Sequence, residues 1–215
     1  MAVTYEMTSD CHKPAIIYKN NAATPVWIQQ LWQAGEFAQY IQWNGCGHCC
    51  AAMSANLHGI SVTPYEEYMH CRELWGAPVA PQANFLSATG IQAVLNSWNI
   101  PAEVYGVKAG EGQKAAAHIE EMLRQDKMVI FASEPSNRLP NNIFSTGLHW
   151  VLCVGFDKEG NILVANSSNK ITDRGVQLTD AATVGAAICE NCDPKDMTWG
   201  DVNRLYTGMG YVVIG

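Results

Sequence analysis

Cys46, His149 and Asn166, with a glutamine ahead of the cysteine, have the residue types and spacing that acyl transfer requires. Cys46 lies between Gly45 and Gly47 and opens a run to Leu57 that stops at Gly59. A thiol at the first position of a helix faces the positive end of the helix dipole and free backbone N–H groups, which favour thiolate. His149 opens the apolar segment Leu148-His-Trp-Val-Leu-Cys-Val-Gly, and Asn166 follows it by 17 residues, one hairpin away. Antiparallel neighbours bring such positions side by side. An Asn166 amide could then orient an imidazole that takes the Cys46 proton and later gives it to a leaving group. The developing oxyanion needs donors, which the Cys46 backbone N–H and a side-chain amide would supply. Gln39 and Gln42, seven and four residues before Cys46, are the candidates for that amide.

The same residues admit other chemistry. Cys46-Gly47-His48-Cys49 is a C-x-x-C dithiol at a helix start, the context of thiol–disulfide exchange, although no hydrophobic strand runs into it and no βαβ unit accompanies it. Cys46/Cys49 and Cys189/Cys192 have the spacing of a four-thiolate zinc site but lie far apart in the sequence. Cys189 and Cys192 are read instead as a local pair, bridged or reduced, and neither a metal nor a cofactor is expected. His48 reads as a solvated first-turn residue that could tune the thiolate. Trp43 and Trp150 read as packing residues.

These residues need elements to hold them. Cys46, Cys50, Met53 and Leu57 recur at steps of four, three and four, one stripe of a helix, and small residues fill its other faces. Before it, residues 1–23 show no periodicity, and Thr24-Pro25 looks like a helix start ahead of the stripe Trp27, Ile28, Leu31 and Trp32. After it, Thr63-Pro64-Tyr65-Glu66 is a capping box opening a helix to about Leu74. Ala77 to Asn84 reads as a loop, Ile91 to Trp98 as a helix, Ala102 to Val107 as a strand and Ala115 to Gln125 as a helix. The period then changes. Met128 to Ala132, Leu148 to Phe156 and Asn161 to Ala165 read as buried strands, the last two joined by the turn Asp157-Lys-Glu-Gly160. Residues 167–197 give no clear pattern, Thr198 would cap a short helix to Tyr206, and Tyr211 to Ile214 closes as a strand.

Helices first and strands last predict one α+β domain over 1–215, with an extension at 1–38, a helical part at 39–100 carrying the nucleophile, and a mainly sheet part at 101–215 carrying His149 and Asn166. Its 215 residues are enough for a proper core, with 48% apolar and 15% charged residues. A formal charge of −7 argues against nucleic acid or an anionic membrane as the main partner. No apolar run approaches a membrane span. The first residues do not resemble a signal peptide, and three of eight cysteines crowd one helix start, so the sequence reads as reduced and cytoplasmic.

Cys46-Gly47-x-x-x-x-Ala52-Met53, then Asn56, Gly59-Ile60 and a Pro-Tyr-Glu-Glu helix, resembles the double-glycine-leader (bacteriocin-processing) cysteine peptidases, bacterial enzymes of papain-like fold. Their second block, a histidine opening a valine-rich strand and an Asp or Asn beyond the next turn, is similar to His149 through Asn166. The resemblance covers about Gln39–Gly59 and Leu148–Asn166. It implies N-terminal helices packed on a C-terminal antiparallel sheet, and a Cys46, His149, Asn166 triad. It also implies an oxyanion glutamine about six residues before the cysteine; that position is Tyr40, so the adjacent Gln39 is chosen over Gln42. His48 stands where the family usually has proline, and Asn166-Ser167 where it often has Asp-Pro. Alignment on papain's Cys-Gly-Ser-Cys would instead make Cys49 the nucleophile and Gln42 the donor. The implied activity is hydrolysis of a peptide or isopeptide bond in a peptide or protein substrate through a thioester acyl-enzyme. The alternatives are a thiol–disulfide oxidoreductase using Cys46/Cys49 and a peptide-binding pseudoenzyme.

Overall fold

The computed structural model describes residues 2–7, 15–33, 35–76, 78, 83–135, 143–168, 175–201, 204 and 207–215. In chain order its elements begin with β1 (Thr4–Glu6), β2 (Ile16–Lys19) and β3 (Ala22–Pro25), followed by α1 (Ala38–Asn44), α2 (Cys46–Leu57) and α3 (Pro64–Trp75). Then come β4 (Asn84–Leu86), α4 (Ala88–Ser97), β5 (Ala102–Tyr105), α5 (Gly112–Arg124) and β6 (Met128–Ser133). The hairpin β7 (His149–Phe156) and β8 (Ile162–Ala165) leads to β9 (Val176–Thr179), α6 (Ala181–Ala187), β10 (Trp199–Asp201) and β11 (Tyr211–Ile214). The result is α+β: three strands open the chain, α1 to α3 follow, and α5 and α6 fall between strands of an antiparallel sheet.

That sheet has six strands in the order β5-β11-β6-β7-β8-β9, all paired antiparallel. Its central strands read as unbroken apolar runs because both faces are covered. Met128, Ile130, Ala132, Trp150, Leu152 and Val154 join a core with α2 and α4. The alternate residues Val129, Phe131, Val151 and Cys153 join a second core with α5 and α6. All of α2 except Asn56 and its capping residue is buried, so the helix takes small side chains on every face and cysteine, methionine and leucine on the stripe toward the sheet. Asn56 bridges outward: its amide donates to Thr24 Oγ1 at 3.1 Å and its oxygen accepts from Val62 N–H at 2.9 Å.

Several expectations need correction. Thr24-Pro25 does not start a helix. Thr24 pairs with Ile17 in the β2–β3 ladder, and Pro25 ends the edge strand, where its missing N–H costs no ladder bond. The apolar stripe behind it shortens to a single 3-10 turn at Gln29–Leu31. Ahead of it, without periodicity in the sequence, Val3, Ala15 and Ile17 nonetheless lie in the main core, and Val3 N–H donates to the Phe156 carbonyl at 2.8 Å. Trp199 to Asp201, expected in a helix, pairs with β4. The helix α1, with Tyr40, Ile41 and Asn44 inward, had not been read from the sequence at all. The loop expected over Ala77 to Asn84 and the end of a helix at Tyr206 fall largely on residues outside the described set, as do Cys11 and His12.

Candidate active site

The site is assembled where α2 meets the first residues of β7. Gly45 joins α1 directly to α2, and a Cβ there would collide with the Ile41 carbonyl, so only glycine allows the two helices to meet this closely. This joint sets Cys46 at the first position of α2, with its thiol 6% exposed. The backbone amides of Trp150, the residue after His149, and of Gly47 lie near enough to the sulfur to favour thiolate, but burial outweighs them and pushes the thiol up to about 11. The resting site therefore holds a neutral thiol, contrary to the expectation from the helix dipole alone. The same burial acts on Cys49, 1% exposed and raised further by Cys46 and Glu67.

His149 and Asn166 meet as their spacing predicts. The β7–β8 ladder stops at Leu152 opposite Ala165, which leaves both residues just past its end. His149 Nε2 lies 3.0 Å from Asn166 Oδ1. The Asn166 amide nitrogen donates to the Phe144 carbonyl at 2.7 Å and to Gln177 Oε1 at 2.6 Å, so its oxygen must face the histidine. The hydrogen on that ring is thereby assigned to Nε2, which makes Nδ1 the basic nitrogen. Ser168 N–H also donates to Asn166 Oδ1 at 3.0 Å.

Beside His149 opens a cavity of about 340 Å³, with Gln29, Gln42 and Trp43 on one wall and Ser145, Gly147, Leu148 and Ser168 on the other. Gln39 is not part of it. Tyr40 and Ile41 face the core of α1, which turns Gln39 to solvent, while Gln42 reaches the cavity. Gln42 Nε2 donates to the Trp32 carbonyl at 2.6 Å, and its second N–H is left for another acceptor. Trp43, expected to pack, is 57% exposed at the cavity wall, whereas Trp150 is buried. Gln29 had no signal in the sequence because its place depends on long-range bonds: its N–H to the Ser167 carbonyl at 2.9 Å and its amide to the Gln42 carbonyl at 3.2 Å. It ties α1 to the segment following Asn166.

The rival arrangements fare differently. Cys46 and Cys49 are both buried with raised pKa values, which is unlike a poised dithiol, and the sheet they face is wholly antiparallel. Cys192 is a reduced thiol that donates to the Cys189 carbonyl at 2.9 Å. The four cysteines of the two C-x-x-C pairs are not gathered. Among the described residues, the one group of three or more His, Cys, Asp or Glu ligand atoms close enough for a shared ion is His48, Glu67 and Cys71. His48 itself is fully buried rather than solvated.

No curated protein matches the chain in sequence. Among solved structures, a double-glycine-motif protease from an AMS/PCAT transporter, crystallised in complex with the leader peptide, overlaps 79% of this chain and 83% of its own. Sequence identity with it is 12% and the TM-score is 0.38. The sequence signature of the Peptidase_C39 like family matches residues 27–210, a span that holds the helix starting at Cys46, the strand starting at His149, and Asn166. The chain belongs to that family, and its helices pack on an antiparallel sheet.

Proposed function

We propose that the protein is a cysteine peptidase or amidase that hydrolyses a peptide or isopeptide bond through a thioester. The observation that carries this reading is the fixed His149–Asn166 pair, beside a Cys46 thiol at the start of α2 that feels the backbone of Trp150, the residue after His149. Family membership agrees with it. Cys46 gives its proton to His149 Nδ1 as sulfur attacks the carbonyl carbon. The tetrahedral oxyanion is met by the Cys46 N–H and the second N–H of Gln42, which replaces Gln39 in this role. His149 then protonates the departing amine, the C–N bond breaks, and the acyl group stays on sulfur. Water, deprotonated by the same nitrogen, attacks the thioester, and the proton returns to Cys46. Asn166 keeps the ring in the tautomer that can do both. Among the described residues the cavity is lined by no Lys, Arg, Asp or Glu.

The raised thiol also suits a protein that binds peptides in this groove without cutting them, and one experiment separates the two. A peptide library is digested by the wild-type chain, by Cys46→Ala and by Cys49→Ala. Cleavage by the wild type and Cys49→Ala, abolished in Cys46→Ala, is expected. Peptides retained but never cut would support the binding protein, and cleavage surviving in Cys46→Ala would remove the proposed nucleophile.

A further inference from the structure

On the side of α2 turned away from the sheet, His48, Glu67 and Cys71 form a closed polar cluster in an otherwise apolar region. All three are fully buried. Glu67 and Cys71 are one turn apart on α3, and the Cys71 thiol donates to Glu67 Oε1 at 3.2 Å. His48 Nδ1 bonds the other carboxylate oxygen. We infer that these three side chains form a binding site for a divalent transition-metal ion of the zinc type.

The donor set is an imidazole nitrogen, a carboxylate oxygen and a sulfur, the mixture that suits zinc and cobalt rather than magnesium or calcium. The three ligand atoms lie within 4.8 Å of one another. An ion about 2.0–2.3 Å from each would need separations of roughly 3.3–3.8 Å, a small adjustment. The charges point the same way. Among the described residues Glu67 has no lysine or arginine partner, and Arg72, on the same helix, lies over the Phe37 ring at 3.8 Å. Among the described residues the buried Tyr40 hydroxyl, whose ring is 5.7 Å from the imidazole, has no hydrogen-bond partner. A network built only for packing would leave fewer polar groups unmet. As a divalent ion enters, the Cys71 thiol proton and the proton between His48 and Glu67 leave, so the total charge of the pocket does not change. Burial and the neighbouring carboxylate hold the Cys71 thiol far above its ordinary range, so the ion supplies the charge that lets it ionise. The Tyr40 ring, stacked on Tyr68, borders the cluster. The ion would clamp α3 to the first turn of α2, two residues beyond Cys46.

The test reads metal, not proteolysis, so it stands apart from the peptidase reading. The full chain is purified from zinc-supplemented cells, its metal content is measured, and the chelator-treated protein is titrated with Co²⁺ alone. About one equivalent per chain is expected, with thiolate-to-cobalt charge-transfer absorption that zinc abolishes. Cys71→Ser should lose that absorption and Cys192→Ser should keep it. Glu67→Gln, which preserves shape, should weaken binding at least about tenfold. A wild-type chain without stoichiometric metal or thiolate-to-cobalt absorption overturns the inference. So does absorption that survives in Cys71→Ser and disappears in Cys46→Ala or Cys49→Ala.

Discussion

Asn166 shows how a single side chain can be fixed by what it cannot do. Both amide hydrogens are taken by oxygens, so the remaining oxygen has to accept, and the tautomer of His149 follows. The pairing itself was legible, because 17 residues with a four-residue turn between apolar runs specify an antiparallel hairpin. The state of the thiol was not: the sequence shows the helix start that lowers a thiol pKa, but not the burial that raises it to about 11. This gives a stability prediction. The folded chain binds the Cys46 proton more tightly than the unfolded chain, whose thiol titrates near 9.0. The stabilisation is therefore complete below about pH 9 and is lost as pH rises toward about 11. Each pH unit in that window corresponds to about 1.4 kcal/mol, so Cys46→Ala should lose about 2–3 kcal/mol less than wild type between these limits. Urea unfolding midpoints across the range measure it, and equal slopes for both proteins would refute the burial of this thiol.

Two elements position the nucleophile in separable ways. The Gly45 joint acts on Cys46 directly, while the Thr63 capping box, in which Thr63 and Glu66 exchange bonds, only starts α3. Gly45→Ala should cost about 1–3 kcal/mol by forcing the helices apart and should also slow alkylation of Cys46. Thr63→Ala should cost about 1 kcal/mol and leave the alkylation rate unchanged. Denaturant midpoints and labelling rates on the same samples check both; a slowed rate in Thr63→Ala would mean that α3 also governs the thiol. Strong local signals made most helices readable: the capping box, the α2 stripe, and the Ile119, Met122 and Leu123 face of α5. The elements that went unread depend on distant partners. Pro25 looked like a helix start until Ile17 and Thr24 paired, and Trp199 looked helical until it met Leu86. The short α1 carries no cap in its sequence and exists by packing Tyr40 and Ile41 beside Tyr68.

At the scale of the whole molecule, separate helix-period and strand-period segments were enough to give the α+β class, because α2, β6 and β7 show their periods plainly, although β1 to β3 precede the helices. The cavity was not visible in that order. Its walls come from Gln29, Gln42, Ser145 and Ser168, four segments brought together only by the folded chain. No helix among the described residues is long and apolar enough to cross a membrane. What unites the scales is the claim that α2 and β7 bring one sulfur under the control of one imidazole. Iodoacetamide labelling of the native chain, with the modified thiol identified by mass spectrometry, tests this most directly. The account predicts that Cys46 is the first thiol modified, at a rate that falls about 10²-fold in His149→Ala and is unchanged in Cys49→Ala. First modification at Cys49 or Cys192, or a Cys46 rate indifferent to His149→Ala, would contradict it.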